Sequence, residues 1–216
     1  MVNQIAQDDD MDQASLKDLI RKQSHENRRN QENKDELSVT IVDKFMALDE
    51  FKNSNVVMFY VDVRAEVRTR HAFEATLVTG KKIVVPWCNA DGELELFHLE
   101  SIDELAVGMY KILEPREDLR RVPEKVVTAE ELDLIMVPGV AFDEQGGRTG
   151  HGKGYYDKLL EHARPDAPLV ALAFDCQMFS AIPMQDHDIY MDMVITESAI
   201  HTGVGRTTTT TPSSPR

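Results

Sequence analysis

A single α/β domain around a central, mostly parallel sheet is predicted by three features of the chain. Short apolar runs of strand length recur along it, stretches of helical periodicity lie between them, and one such run stops at a glycine-rich loop. Parallel strands need covering crossovers, so this alternation implies βαβ units with helices on both faces: a three-layer α/β/α domain. Hydrophobic content of 42% supplies a core of the necessary size.

The elements follow in order. Ser15 is placed to cap a short first helix carrying Leu16, Lys17, Ile20 and Arg21. Leu37, Ile41, Phe45 and Leu48 mark the stripe of a second helix, widened by Val42 and Met46. VVMFYV (56–61) is a strand, and residues 69–77 are a helix. KIVVPW (82–87) is a strand closed by Pro86. Residues 94–99 alternate in polarity and form a hairpin arm after the Asp91-Gly92 turn. Residues 132–137 are a buried strand stopped by Pro138-Gly139. Residues 153–162 are helical, and 168–174 and 193–196 are later strands. The expected domain spans 15–204. An acidic N-terminus (1–14) and a low-complexity, Thr-rich tail (205–216) offer little to bury and are expected to be disordered.

Composition excludes several classes. A formal net charge of -14 argues against a nucleic-acid surface, which carries a basic face. No apolar run reaches the ~20 residues a membrane span needs, and the N-terminus has no secretory pattern, so a cytoplasmic location is expected. Cys88 and Cys176 are too few for a disulfide framework or a zinc site and read as small core residues. Trp87, at the end of a strand, reads as core packing, with stacking on a flat ligand as the alternative, and one of Tyr155 and Tyr156 reads as an anchor on the sheet. The methionines read as core filler.

In a parallel sheet, ligands sit beyond the carboxyl ends of the strands. The loop after 132–137 lies there, and its composition is PGVAFDEQGGRTGHGKGYYD. Its glycines remove Cβ atoms where a backbone must approach a ligand, and freed N–H groups can converge on an anion. Arg148 and Lys153 add a planar fork and a mobile point charge suited to phosphate. Residues 147–153 fit the first part of a G-x-x-x-x-G-K phosphate loop, but Gly154 stands where a magnesium-binding Ser or Thr belongs. The generic motif therefore fails at one essential position. By themselves, Lys17 and Arg21 read as a solvated helical face, Asp157 as a complement to a helix dipole, and Asp188 as a turn residue.

Residues 132–160 nevertheless resemble the signature of the 5-formyltetrahydrofolate cyclo-ligase family: PG-x-AFD followed by G-x-R-x-G-x-G-K-GYYD at the same spacing. The resemblance runs from about Leu16 to Glu197. It takes in Lys17…Arg21, Tyr60, Glu66-Val67-Arg68-Thr69, Val85-Pro86, Glu114-Pro115, 171–174 and His187-Asp188. Arg68 departs from it, because the family more often has an acidic or small polar residue there; the two tails are also extra.

The resemblance implies a Rossmann-like fold related to sugar-phosphate isomerases and CoA-transferases. It implies ATP- and Mg2+-dependent cyclisation of 5-formyltetrahydrofolate to 5,10-methenyltetrahydrofolate. Carried over residue by residue, Lys17, Arg21, Arg148, Thr149, Gly150, His151, Gly152, Lys153, Gly154, Tyr155 and Tyr156 would hold ATP. Val61, Glu66, His151, Gly152, Lys153, Gly154 and Tyr155 would border the folate. Asp157 and Asp188 would associate with Mg2+, and Arg148, Lys153 and Tyr155 would serve catalysis. A folate substrate and ATP are the expected partners, with neither nucleic acid nor membrane, and a monomer is favoured. Two other readings stand beside this one: a cyclo-ligase-like nucleotide-binding protein that does not close the ring, and an isomerase or acyl-CoA transferase on the related sheet.

Overall fold

The computed structural model describes residue 3 and residues 12–108 and 112–206. The remainder of the two expected tails lies outside the described residues. In chain order the elements are α1 (Gln13–Asn30), α2 (Lys34–Ala47), α3 (Asp49–Asn53), β1 (Val56–Met58), α4 (His71–Leu77), β2 (Lys82–Cys88) and β3 (Leu94–Leu99). Then come β4 (Leu105–Val107), β5 (Leu113–Pro115), β6 (Val126–Val127), β7 (Leu134–Val137), β8 (Ala141–Phe142) and β9 (Arg148–Thr149). The last are α5 (Tyr155–Glu161), β10 (Leu169–Leu172), β11 (Met193–Ile195) and β12 (Ile200–Thr202).

Among the described residues the main sheet has eight strands in the order β12-β11-β10-β7-β1-β2-β3-β6. The run from β11 to β2 is parallel, while β12, β3 and β6 pair antiparallel at the two margins. The expected α/β class with a mostly parallel sheet is thus observed. Neighbouring residues of the central strands alternate between two cores. Val57, Leu134, Met136, Val170 and Leu172 face one layer with Ile41, Phe45, Phe51 and Phe73 from α2, α3 and α4. Met58, Ile135, Val137, Leu169 and Ala171 face the other, with Leu159 and Leu160 from α5. Period-two alternation in strands buried on both faces makes the three layers.

Several local expectations are corrected. α1 is a long helix, and its cap is Asp12, whose carboxylate accepts from Ser15 N at 2.7 Å; the domain thus starts before residue 15. α1 packs through Ile20 on Ala141, Phe179 and Ile182 rather than on the sheet. The strand expected over 56–61 ends at Met58, and the chain leaves the sheet there. Pro86 does not close β2 but pairs with Leu96. The β1 pairing has already ended at Val84, so no donor is needed from the proline on that side. The crossover from β10 to β11 carries only a 3-10 turn, Asp175–Gln177, in place of a helix. Cys88 is exposed and so is not a core residue, while Cys176 is half-buried and packs against the edge of the core. At the C-terminal end Arg206 still bonds the carbonyls of Ala163 and Ala167, which carries order past 204. No helix among the described residues is long and apolar enough to cross a membrane.

Candidate active site

A cleft of about 1200 Å³ opens beyond the carboxyl ends of β1, β2 and β7, and every site residue expected from the sequence lines it. This is where a parallel sheet leaves room for a ligand, because each strand there gives way to a loop. Its floor comes from the glycine-rich segment, which is not a plain loop. β8 and β9 pair as a hairpin, Ala141 opposite Thr149 and Phe142 opposite Arg148. The turn is closed by Asp143, whose carboxylate accepts from Gln145 N, Gly147 N and Ile182 N at 3.0, 2.8 and 2.7 Å. The hairpin thereby fixes Arg148 and Thr149 at the cleft.

Arg148 is 7% exposed and pairs with Asp157. It also donates to Pro138 O at 3.3 Å, while its Nε has no partner among the described residues. The Thr149 hydroxyl is likewise buried without a partner among those residues. Buried donors of this kind are costly unless something else satisfies them. Beyond Thr149 the backbone turns through Gly154, whose φ of 67° lies in the left-handed region that favours glycine. α5 starts there. It is under two turns long, so its dipole adds little at that end of the cleft.

α1 forms a second wall. Lys17, 7% exposed, pairs with Asp188, which also accepts from Gln185 N at 2.6 Å. One turn on, Arg21 donates to Gly150 O at 2.9 Å and so ties the helix to the glycine segment. The Lys17/Arg21 face lies on the cleft, not in open solvent. His25 stacks on His151 with centroids 5.3 Å apart. His151 is pushed down to about 4, first by partial burial and then by His25, Arg28, Arg64 and Arg21. The residue as a whole stays exposed, and these neighbours favour its neutral ring.

A third wall is the segment after β1. Val61, Val63 and Glu66 line the cleft. Glu66 is 8% exposed and accepts from Val63 N at 3.0 Å. Burial lifts its carboxyl to about 7, against the Val63 hydrogen bond and the buried Arg28, which both pull it down. Burial likewise pushes the Tyr156 hydroxyl well up, and Tyr156 packs on the α5-side core as its anchor. Tyr155 instead faces the cleft, with the Lys153 ammonium 5.8 Å from its ring centroid.

The sequence reading did not assemble the remaining wall, although it offered Trp87 as a surface on which a flat ligand could stack. Trp87, Cys88 and Asn89 at the end of β2, together with Leu113, Glu114 and Arg120, complete the cleft. Trp87 is indeed packed in the core, and the Arg120 guanidinium covers its ring at 4.5 Å. Arg120 also pairs with Glu114 at 3.1 Å, joining β5 to Trp87 near the end of β2. Of these residues only Glu114 falls within the resemblance, and without a site role; the proximity of β2 to a glycine segment far along the chain is a product of sheet order.

Asp157 and Asp188 suit a hard cation, but each is already paired with a basic side chain. Among the described residues no three His, Cys, Asp or Glu side chains gather to hold a metal by themselves. Two carboxylates do suit Mg2+, which keeps waters and is commonly held by one or two carboxylates plus substrate phosphates. The residues therefore fit a metal that arrives with a nucleotide.

The sequence profile of the 5-formyltetrahydrofolate cyclo-ligase family matches residues 13–197. The chain is 31% identical over 195 residues to the 5-formyltetrahydrofolate cyclo-ligase of Mus musculus, covering 86% of this chain and 92% of that one. It is 28% identical over 172 residues to the Escherichia coli (strain K12) protein of the same name, covering 78% and 92%. The solved 5,10-methenyltetrahydrofolate synthetase of Aquifex aeolicus superposes with a TM-score of 0.75 at 34% identity, covering 88% of this chain and 95% of that chain. The match takes in the glycine segment, the α1 cations and Glu66 together, and the chain belongs to the 5-formyltetrahydrofolate cyclo-ligase family.

Proposed function

We propose that the chain is an ATP- and Mg2+-dependent enzyme that closes 5-formyltetrahydrofolate to 5,10-methenyltetrahydrofolate. The observation that carries this reading is that one cleft gathers two cation–carboxylate pairs, Lys17–Asp188 and Arg148–Asp157, beside a buried acid, Glu66. The first group suits a metal–nucleotide and the second the N–H groups of a pterin.

The formyl oxygen is a poor leaving group. It attacks the terminal phosphorus of ATP, the bond from that phosphorus to the bridging oxygen breaks, and ADP departs. N10 then attacks the formyl carbon of the resulting imidate phosphate. Its proton is lost, the carbon–oxygen bond breaks, and inorganic phosphate leaves as the ring closes. Such chemistry relies on positioning and charge stabilisation more than on covalent catalysis by protein.

Arg148 and Lys153 neutralise the charge of the phosphoryl group in transfer. Arg148 is held for this by Asp157 and the β8–β9 hairpin. Lys17 and Arg21 offer further charge from α1, and the orphan Thr149 hydroxyl and Arg148 Nε gain partners from phosphate oxygens. Tyr155 borders both ligands. Glu66 accepts from the pterin, with Val61 against its ring. Asp157 and Asp188 would hold Mg2+, which supplies charge neutralisation at the phosphates.

The test is direct. Protein, Mg-ATP and 5-formyltetrahydrofolate together should generate the near-ultraviolet absorbance of the methenyl product, with one ADP formed per ring closed. Folded protein that leaves the folate intact, or that forms product without consuming ATP, would refute the reading.

A further inference from the structure

The segment after β1 alternates as an extended chain does. Val61 and Val63 face the cleft, whereas Asp62 points the other way, its side chain only 1% exposed. A carboxylate taken out of water must find donors or become a liability. Asp62 finds them on the same segment: Thr69 N at 3.1 Å, Arg70 N at 3.4 Å, and Arg70 Nε and Nη2 at 3.0 and 3.2 Å. This closes the chain into a loop whose apex carries Glu66. Two further ties brace it, Tyr60 Oη donating to Val67 O at 3.1 Å and Thr69 Oγ1 to Tyr60 O at 2.6 Å.

Arg68 fastens this loop from outside. Its backbone N donates to Ser38 Oγ at 2.9 Å and its Nε to Asp35 at 3.2 Å, both on α2. Its Nη1 donates to Arg64 O at 2.6 Å and lies 3.7 Å from Asp62. Arg64 has a φ of 54°, a left-handed conformation that a residue with a Cβ holds only when its surroundings enforce it. None of Asp62, Arg68 and Arg70 lines the cleft.

We propose that Asp62, Arg68 and Arg70 form an internal clamp of positioning residues, which sets affinity for the folate by fixing Glu66 and Val61 without touching the ligand. The inference rests on the reading that folate lies against Glu66. It accounts for Arg68: an acidic residue there would face Asp35 and Asp62, whereas arginine bridges them.

The experiment compares Asp62→Asn, Arg70→Ala, Arg70→Lys and Arg68→Ala with Glu66→Gln, measuring KM for each substrate and kcat, with thermal midpoints alongside. Losing a hydrogen bond to a charged group costs roughly tenfold or more in an equilibrium. Asp62→Asn and Arg70→Ala should therefore raise KM for 5-formyltetrahydrofolate by about tenfold, leave KM for ATP within about twofold, and be partly rescued in Arg70→Lys. Should Asp62→Asn not fold, the Arg70 and Arg68 variants, whose side chains are partly exposed, carry the same readout. Equal losses for both substrates would mean a plain folding role and overturn the clamp. A raised folate KM in Glu66→Gln with none in the clamp variants would overturn the clamp alone. An unchanged folate KM in Glu66→Gln would overturn the folate-side reading and the clamp with it.

Discussion

The guanidinium of Arg148 is paired with the carboxylate of Asp157, and the ammonium of Lys17 with that of Asp188, so the cations suited to phosphate and the acids suited to metal neutralise each other in the cleft. Both pairs must open if Mg-ATP binds, the cations turning to phosphate and the acids to metal. A divalent cation alone would have to displace an arginine or a lysine with nothing to receive it. Metal and nucleotide should therefore bind only together. With Mn2+ as the probe, its free electron-resonance signal should stay unchanged on adding protein alone at micromolar concentrations and fall when a non-hydrolysable ATP analogue is added. Asp188→Asn should weaken that ternary binding by roughly tenfold or more. Stoichiometric binding of Mn2+ to the protein alone would contradict this picture.

Arg148 and Lys153 should separate by what else they do. Removing one group that stabilises developing charge typically costs about 10²–10³ in kcat. Lys153→Ala should show that loss with an unchanged thermal midpoint, because the residue is exposed and forms no ion pair among the described residues. Arg148→Ala should show the same loss together with a lowered midpoint, since it strips a buried donor from the Pro138 carbonyl and the partner from Asp157. Near-normal turnover in either variant would remove that residue from catalysis.

Glu66 gives a pH dependence with a definite sign. Burial raises its carboxyl from 4.5 to about 7, so the folded chain holds that proton more tightly than the unfolded one. Its contribution to stability is full below about 4.5, declines as pH climbs to about 7, and is level above. The shift corresponds to about 3 kcal/mol. Glu66→Gln should match the parent protein near pH ~5 and be more stable than it at pH ~8, as read by urea denaturation. In turnover the trend reverses. Only ionised Glu66 is a pure acceptor for pterin N–H groups, so KM for the folate should fall as pH rises through about 7, and Glu66→Gln should flatten that profile.

The reach of the sequence differs between the core and the cleft. Central strands announced themselves because residues such as Leu134, Ile135, Met136 and Val137 are apolar on both faces, which only a covered parallel sheet requires. The glycine segment was legible because its residue types suit an anion and little else. The extent of β1 was not. Phe59, Tyr60 and Val61 are as apolar as β1 itself and lie in the same core, Phe59 against Phe45 of α2 and Phe73 of α4, but the regular pairing ends at Met58. The Trp87–Arg120 wall was also illegible, because it depends on β2 lying beside β1 and on β5 folding back, and neither is encoded locally. The Asp62–Arg70 pair sits in plain view along the chain, but burial of one carboxylate is what distinguishes it from an ordinary surface pair.

Two glycines of the signature segment share a left-handed conformation and should nevertheless tolerate alanine very differently. Gly154, at φ 67°, has open space where a Cβ would go. Gly146, at φ 85°, would place a Cβ 2.2 Å from Met191 O, on backbone pinned by the Met191 N to Gly146 O bond at 2.8 Å. Gly154→Ala therefore bears only the dihedral strain, about 1–2 kcal/mol. Gly146→Ala adds a collision with main chain that joins the β8–β9 turn to the segment before β11. It cannot be relieved by rotating a side chain, and its total cost should exceed about 3 kcal/mol. Urea midpoints of the two variants test this, and equal midpoints would show that the contact between residues 146 and 191 yields freely. Activity should sort them the other way per unit of stability lost. Gly154 lines the cleft, so its alanine variant should weaken nucleotide binding while still well folded, whereas Gly146→Ala should keep its affinity for as long as it stays folded.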